Sequence, residues 1–223
     1  MTETIKLAGA DGFEFAAYHE PAFTPRKGGV IVIQEIFGLD VHVRADVERW
    51  AKMGYEAIAP SLYDRREPGF TAGHDPEGLK AGVAHARATP LDQALGDIAA
   101  CRDFLKGRGE KVCVVGYCYG GSLAWLSAGK VEGIAASSSY YGSMVLANAA
   151  LAPMCPTIVH LGRTDAGIPA DEVAAAVTGA HPEVPVYIYE GAGHGFNNES
   201  PERYSAEAAT LARRRTLELF DGA

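Results

Sequence analysis

The stretch Lys111-Val-Cys-Val-Val-Gly-Tyr-Cys-Tyr-Gly-Gly-Ser-Leu-Ala-Trp constrains this chain more than any other. Residues 111–115 are mostly apolar and β-branched and read as a short buried strand; a helical run follows through Ser127. Between them stands Gly116-Tyr117-Cys118-Tyr119-Gly120, a G-x-C-x-G turn with cysteine where a nucleophile elbow usually carries serine. So tight a turn forces its central residue into a strained backbone and needs near-absent side chains two residues to either side. It would lift Cys118 above the sheet and aim its sulfur at the N-terminus of the next helix, where free N–H groups favour a thiolate or a substrate oxyanion. On its own, the pattern fits a buried structural cysteine in a tight turn equally well.

Around this turn, apolar runs alternate between two periods. Ile5–Leu7 and Phe13–Tyr18, with Asp11-Gly12 between them, predict an antiparallel edge hairpin. Val30-Ile-Val-Ile is a continuous apolar run, as expected of a parallel strand buried on both faces. Val43, Val47, Trp50 and Ala51 then recur at helical spacing, Gly54 closes that helix, and Tyr55–Ala59 is the next strand. Asp75-Pro76 and Thr89-Pro90 each predict an N-cap with proline at the first helical position. Beyond the elbow, strands are expected at 133–140, 157–161 and 184–189. Helices are expected from Ile168-Pro169 to Ala180 and after a Ser200-Pro201 cap. The alternation predicts a doubly wound, mainly parallel α/β sheet with helices on both faces. With no repeat, linker or low-complexity segment, the 223 residues are expected to form one domain.

Composition excludes several function classes. The net charge is −8 and no basic block exceeds Arg213-Arg214-Arg215, which argues against a nucleic-acid partner. The start Met-Thr-Glu-Thr-Ile-Lys lacks the pattern of a signal peptide, and no apolar run approaches a membrane span. The four cysteines, 101, 113, 118 and 155, form no C-x-x-C pair and read as reduced thiols in a cytosol; all but Cys118 are expected to be buried small hydrophobes. The seven histidines show neither H-x-x-x-H nor H-E-x-x-H spacing, so no metal and no cofactor is expected. The expected partner is a small-molecule substrate, with the chain a monomer or homodimer.

Ligands in such sheets bind beyond the carboxyl ends of the strands. Four polar residues fall there: Glu35, Cys118, Asp165 in Leu-Gly-Arg-Thr-Asp, and His194 in Gly-His-Gly-Phe. Singly, Asp165 reads as a helix cap, His194 as a loop histidine and Glu35 as a solvated strand end. Together, Cys118, Asp165 and His194 stand in the order nucleophile, acid, base, the chain order of α/β-hydrolases. A thiol needs a base to become a thiolate, and a carboxylate must fix that base's tautomer and stabilise its charged form. The expected oxyanion donors are the N–H of Tyr119, just after the nucleophile, and the N–H of Ile36.

At these residues the sequence resembles the dienelactone hydrolases (carboxymethylenebutenolidases). The resemblance rests on Gln34-Glu-Ile-Phe-Gly38, Ala59-Pro-Ser-Leu-Tyr63, Gly116-Tyr-Cys-Tyr-Gly-Gly121, Gly162-Arg-Thr-Asp165 and Gly193-His-Gly-Phe196. It implies the α/β-hydrolase fold, a Cys118–Asp165–His194 triad, and Glu35 as an extra carboxylate that keeps the resting thiol protonated until substrate binds. An anionic neighbour disfavours a thiolate, and a protonated thiol resists oxidation. The implied reaction opens an enol-lactone carrying a carboxylate, clamped by two arginines. Here the segment after the histidine reads Phe196-Asn197-Asn198-Glu199, with no arginine before Arg203, so the clamp departs from the pattern. Phe37, Lys80, Arg163 and Phe196 are the expected substrate contacts, with Lys80, Arg163 and Arg203 as substitute cations. A relaxed preference for neutral esters or lactones is the expectation. The alternatives are an esterase acting on a different small neutral ester, or a non-catalytic ligand binder or redox sensor on the same fold.

Overall fold

Strands and helices alternate along nearly the whole chain, as the two apolar periods require. The computed structural model describes residues 3–109, 111–200 and 202–223. The order is β1 (Glu3–Ala8), β2 (Glu14–Glu20), β3 (Gly28–Ile33), α1 (Val41–Lys52), β4 (Tyr55–Pro60), α2 (Pro76–Ala88), α3 (Leu91–Lys106) and β5 (Val112–Tyr117). It continues with α4 (Tyr119–Lys130), β6 (Ala136–Tyr140), β7 (Thr157–Gly162), α5 (Ala170–Ala180), β8 (Val186–Tyr189) and α6 (Ala206–Gly222). The strands form an eight-stranded sheet in the order β1-β2-β4-β3-β5-β6-β7-β8. β1 and β2 pair antiparallel as the expected hairpin, and β2 runs antiparallel to β4. The pairs β3–β4, β6–β7 and β7–β8 are parallel. This is the doubly wound, mainly parallel α/β architecture of the α/β-hydrolases. By internal packing the chain divides into two compact units, residues 1–114 and 115–223.

In the first unit, every residue of β3 and β4 is buried, so neither strand alternates between a buried and a solvated face; Glu56 on β4 is the one charged residue in the two strands. α1 turns Val43, Val47, Trp50 and Ala51 inward, and the Trp50 indole N–H donates to Asp46 Oδ2 at 3.1 Å. The Glu56 carboxylate in this interior is paired. Glu56 on β4 meets His19 Nε2 at 2.8 Å, Arg26 Nε at 2.8 Å and Arg108 Nε at 2.7 Å. Three partners offset the burial of that carboxylate and hold its pKa below the ordinary value.

In the second unit, α4 and α6 pack on β6, α6 also on β7, and α5 on β8. β6 carries Ser137, Ser138 and Ser139, all fully buried. Their hydroxyls are satisfied locally: Ser137 donates to Ala124 O at 2.9 Å, Ser139 to Gly121 O at 2.7 Å, and Ser138 meets Thr216 Oγ1 at 2.9 Å. Such small residues let α4 lie close against the strand, while their hydrogen bonds avoid the cost of orphaned polar groups.

Four local expectations change. Thr89 caps no helix start: its hydroxyl donates to His85 O at 2.9 Å, closing α2, and Pro90 stands at the start of α3. The last helix begins at Ala206 rather than at Ser200; Ser200 O instead accepts from the N–H groups of Arg203 and Tyr204, and Pro201 lies outside the described residues. The sixth strand starts at Ala136, because Gly133 turns with a φ of 80°. Cys101 and Cys113 are buried as expected, whereas Cys155 is half-exposed in the segment before β7. No helix of the described residues is long and apolar enough to cross a membrane.

Candidate active site

Cys118 has a φ of 55° and a ψ of −112°, a conformation that L-residues rarely adopt. Two backbone bonds hold it there: Cys118 N–H donates to Tyr140 O at 3.0 Å, and Cys118 O accepts from Ser122 N–H at 3.0 Å. Gly116 is obligatory, since a Cβ there would stand 1.9 Å from Gly120 O. The turn places Cys118 at the N-cap of α4, and the N–H of Tyr119 opens that helix with no carbonyl of its own helix to donate to.

Asp165 and His194 come from the ends of β7 and β8. The two segments lie against one another through Arg163 N–H to Tyr189 O at 3.0 Å and Thr164 N–H to Ala192 O at 2.9 Å. That approach needs Gly162, whose Cβ would fall 2.5 Å from Ala192 O. It brings Asp165 Oδ2 to 2.7 Å from His194 Nδ1, while Asp165 Oδ1 accepts from Gly167 N–H at 2.9 Å. The His194 side chain is also hydrogen-bonded to that of Cys118. The second unit thus assembles Cys118, His194 and Asp165 as one relay, from three strand ends spread over 76 positions of sequence between residues 118 and 194.

The electrostatics of the relay favour an imidazolium. Burial works against charge on His194, but hydrogen bonds to Asp165 and Cys118, and the negative charge each carries when ionised, outweigh it and raise its pKa to about 10. Burial likewise pushes Asp165 up, and this is overcome by the His194 hydrogen bond and charge and by the N–H groups of Gly167 and Ile168, so its carboxyl lies below its ordinary value.

Three comparisons with known proteins show the family of the whole chain. The profile of the dienelactone hydrolase family matches residues 15–223. The chain belongs to that family. It is 34% identical over 218 residues to a Synechocystis protein bearing the name carboxymethylenebutenolidase, covering 90% of this chain and 88% of the relative. It is 32% identical over 229 residues to the carboxymethylenebutenolidase of Pseudomonas putida, covering 99% and 96%. The crystal structure of a Klebsiella pneumoniae protein carrying a dienelactone hydrolase name superposes with a TM-score of 0.82 at 28% identity, over 98% of each chain.

The other residues expected at the site from the sequence fall as follows. Glu35 and Ile36 follow β3 in the first unit, both buried. Phe37 is buried too and stacks on His74, with centroids 3.9 Å apart. Lys80 is exposed on α2. Arg163 is taken up by Asp171 at 2.7 Å and Glu190 at 3.0 Å. Phe196 is fully buried among Tyr140, Tyr141 and Tyr189, so it supports the His194 segment from behind. Of the asparagine pair, Asn198 is 5% exposed and its side-chain oxygen accepts from Ser200 N–H at 3.1 Å. Arg203 lies along Gly195, its Cδ 3.2 Å from where a Cβ would stand, and its guanidinium has no hydrogen-bond or ion-pair partner among the described residues.

Sequence reasoning missed Tyr141. Its ring centroid lies 5.1 Å from that of His194, and its φ is 39°, the one other positive value outside glycine among the described residues. Only its place at the carboxyl end of β6 hinted at this.

The raised imidazole carries a sign. A group whose folded pKa exceeds its unfolded value stabilises the fold below the latter and loses that contribution as pH rises through the former. For His194 the loss spans the interval from 6.5 to about 10. Asp165 behaves oppositely, its contribution present above 3.8 and lost as pH falls. In an NMR titration the His194 ring should have its midpoint far above pH 6.5, and both Cys118→Ala and Asp165→Asn should lower it. A midpoint near 6.5 that neither substitution moves would contradict the relay.

Proposed function

We propose that this chain is a cysteine-nucleophile hydrolase that opens enol-lactones or cleaves small carboxylic esters. The Cys118–His194–Asp165 hydrogen-bonded relay carries the reading, and family membership with carboxymethylenebutenolidase-named relatives supports it. When substrate binds, the Cys118 thiol passes its proton to His194 and the resulting thiolate attacks the carbonyl carbon, while the developing oxyanion is received by the N–H of Tyr119 at the start of α4. As the tetrahedral intermediate collapses, the C–O bond breaks and His194 gives its proton to the leaving oxygen. A water molecule then attacks the thioester with His194 as base, releasing the acid and restoring the thiol. Asp165 holds the imidazole in orientation throughout. Two further roles rest on the Gln34-Glu-Ile-Phe-Gly38 motif alone: Glu35 keeps the resting thiol protonated, and the N–H of Ile36 is a second oxyanion donor.

The family profile runs through both units, which supports one catalytic domain formed by the whole chain. A cytosolic site of action suits a thiol nucleophile and three further cysteines outside any disulfide. A redox-sensing role would require a resolving thiol, and Cys113 is fully buried. For substrate charge, the disposition of cations alters the expectation of a neutral substrate. Arg163 is neutralised by two carboxylates and Asn198 is buried in a turn, whereas the Arg203 guanidinium, beside the His194 segment, has no partner among the described residues. This supports a substrate bearing a carboxylate, received by Arg203.

Cys118→Ala should lower turnover of p-nitrophenyl acetate by about a thousandfold or more, His194→Ala nearly as much, and the double variant little further. Near-normal turnover in folded Cys118→Ala would end the reading. A charge-assisted hydrogen bond contributes about 1.5–3 kcal/mol. Arg203→Ala should therefore cut kcat/KM for dienelactone about tenfold or more. It should leave the methyl ester nearly unchanged. Equal losses on both substrates would remove Arg203 from substrate recognition.

A further inference from the structure

Histidine spacing in the sequence contains no metal motif, yet the fold gathers one in the first unit. Asp40, His42 and His74 each present one ligand atom within 4.8 Å of the others. We propose that these three residues form a zinc-class metal site, with two imidazoles and one carboxylate as ligands and the fourth position left to water. The proposal does not rest on the hydrolase reading.

Tetrahedral zinc, with bonds of about 2.0–2.2 Å, sets its ligand atoms about 3.4 Å apart. His74 Nε2 and Asp40 Oδ2 already stand at 2.8 Å, and the His42 and His74 ring centroids at 5.1 Å. The widest separation therefore needs to close by at most roughly 1.4 Å, within the reach of a side-chain torsion. The outer supports are in place. Asp40 Oδ1 is fixed by the N–H groups of His42 at 3.0 Å and Val43 at 2.9 Å, which leaves Oδ2 directed to His74. Phe37 stacks on the His74 ring at an interplanar angle of 18° and holds its plane. Ala72 N–H donates to Phe37 O at 3.0 Å and Gly38 bridges Thr71, tying the segment of His74 to that of Asp40. Such supports orient ligands and raise metal affinity.

The His42 imidazole makes only a ring contact and has no hydrogen-bond partner among the described residues. The cluster opens on a cavity of about 430 Å³ bordered by Leu39, Val41, Thr71 and Gly73, which gives an ion a path of entry. Two features oppose a cation: the positive end of α1 and Arg44 at the cavity edge. The Asp40 carboxylate caps the first. The second is drawn off, its Nε donating to Leu39 O at 2.9 Å and its guanidinium lying 5.1 Å over the Tyr18 ring. Imidazole ligands select zinc, cobalt or nickel over magnesium or calcium.

The test is titration of the chelator-treated full chain with Zn²⁺, followed by calorimetry and thermal melting, with Co²⁺ as the optical probe. One equivalent of Zn²⁺ should bind and raise Tm, and Co²⁺ should show the intense visible bands of a tetrahedral site. Loss of an outer support typically costs 10–100-fold in affinity, so His42→Ala and His74→Gln, which each remove a ligand, should cost about a hundredfold or more. Asp40→Asn, which keeps an oxygen for the helix cap, should weaken binding while the protein stays folded. His181→Ala, a histidine outside the cluster, should change nothing. Absence of saturable binding, equal affinity in His42→Ala and the parent chain, or equal loss in His181→Ala would each overturn the site.

Discussion

A thiol can stand at the mouth of a parallel sheet only where the backbone turns from strand to helix within one residue, and Cys118 makes that turn with φ at 55°. A non-glycine residue held there costs on the order of 1–3 kcal/mol and persists only where its surroundings over-determine it. Here they do. Gly116 lets the chain pass Gly120 O, and Tyr140 O receives the Cys118 N–H. A Cβ on Gly121 would stand 2.1 Å from Tyr140 O, so β6 and α4 approach as closely as backbones allow. The buried serines of β6 follow from the same demand, since larger side chains at 137 and 139 would push α4 away and tilt Cys118 with it.

The strain acquires a chemical use because three strand ends converge on it. β6 delivers Tyr141 and β7 and β8 deliver Asp165 and His194, all within the second unit. The fully buried Phe196 fills the space behind Tyr141, so the imidazole is backed by packed aromatic rings on the side away from solvent. Burial alone would lower its pKa, but the hydrogen bonds and charge of its two neighbours outweigh that and raise it.

Much of this is legible in the sequence because it depends on local pattern. The G-x-C-x-G turn, the unbroken apolar run at Val30–Ile33 and the polar residues at strand ends each encode a position in the sheet without reference to distant residues. What escaped depends on residues far apart in sequence. The role of Tyr141 follows from where β6 ends relative to β8. The Asp40–His42–His74 cluster joins a helix cap to a segment some thirty residues on, a distance no spacing rule captures. The engagement of Arg163 by Asp171 and Glu190 is invisible for the same reason. Helix starts were misplaced where Thr89 and Ser200 served neighbouring turns, since a hydroxyl or a carbonyl can close one element as readily as cap the next.

Cys118 is expected to form a covalent acyl intermediate that His194 helps to resolve. The most direct measurement is mass spectrometry of the His194→Ala chain, acid-quenched after exposure to p-nitrophenyl acetate at a pH high enough to ionise a thiol. An acetyl group is expected on the tryptic peptide that spans 112–130, with fragment ions placing it on Cys118 and not on Cys113. Modification of Cys113, Cys155 or a lysine with Cys118 unlabelled would contradict it.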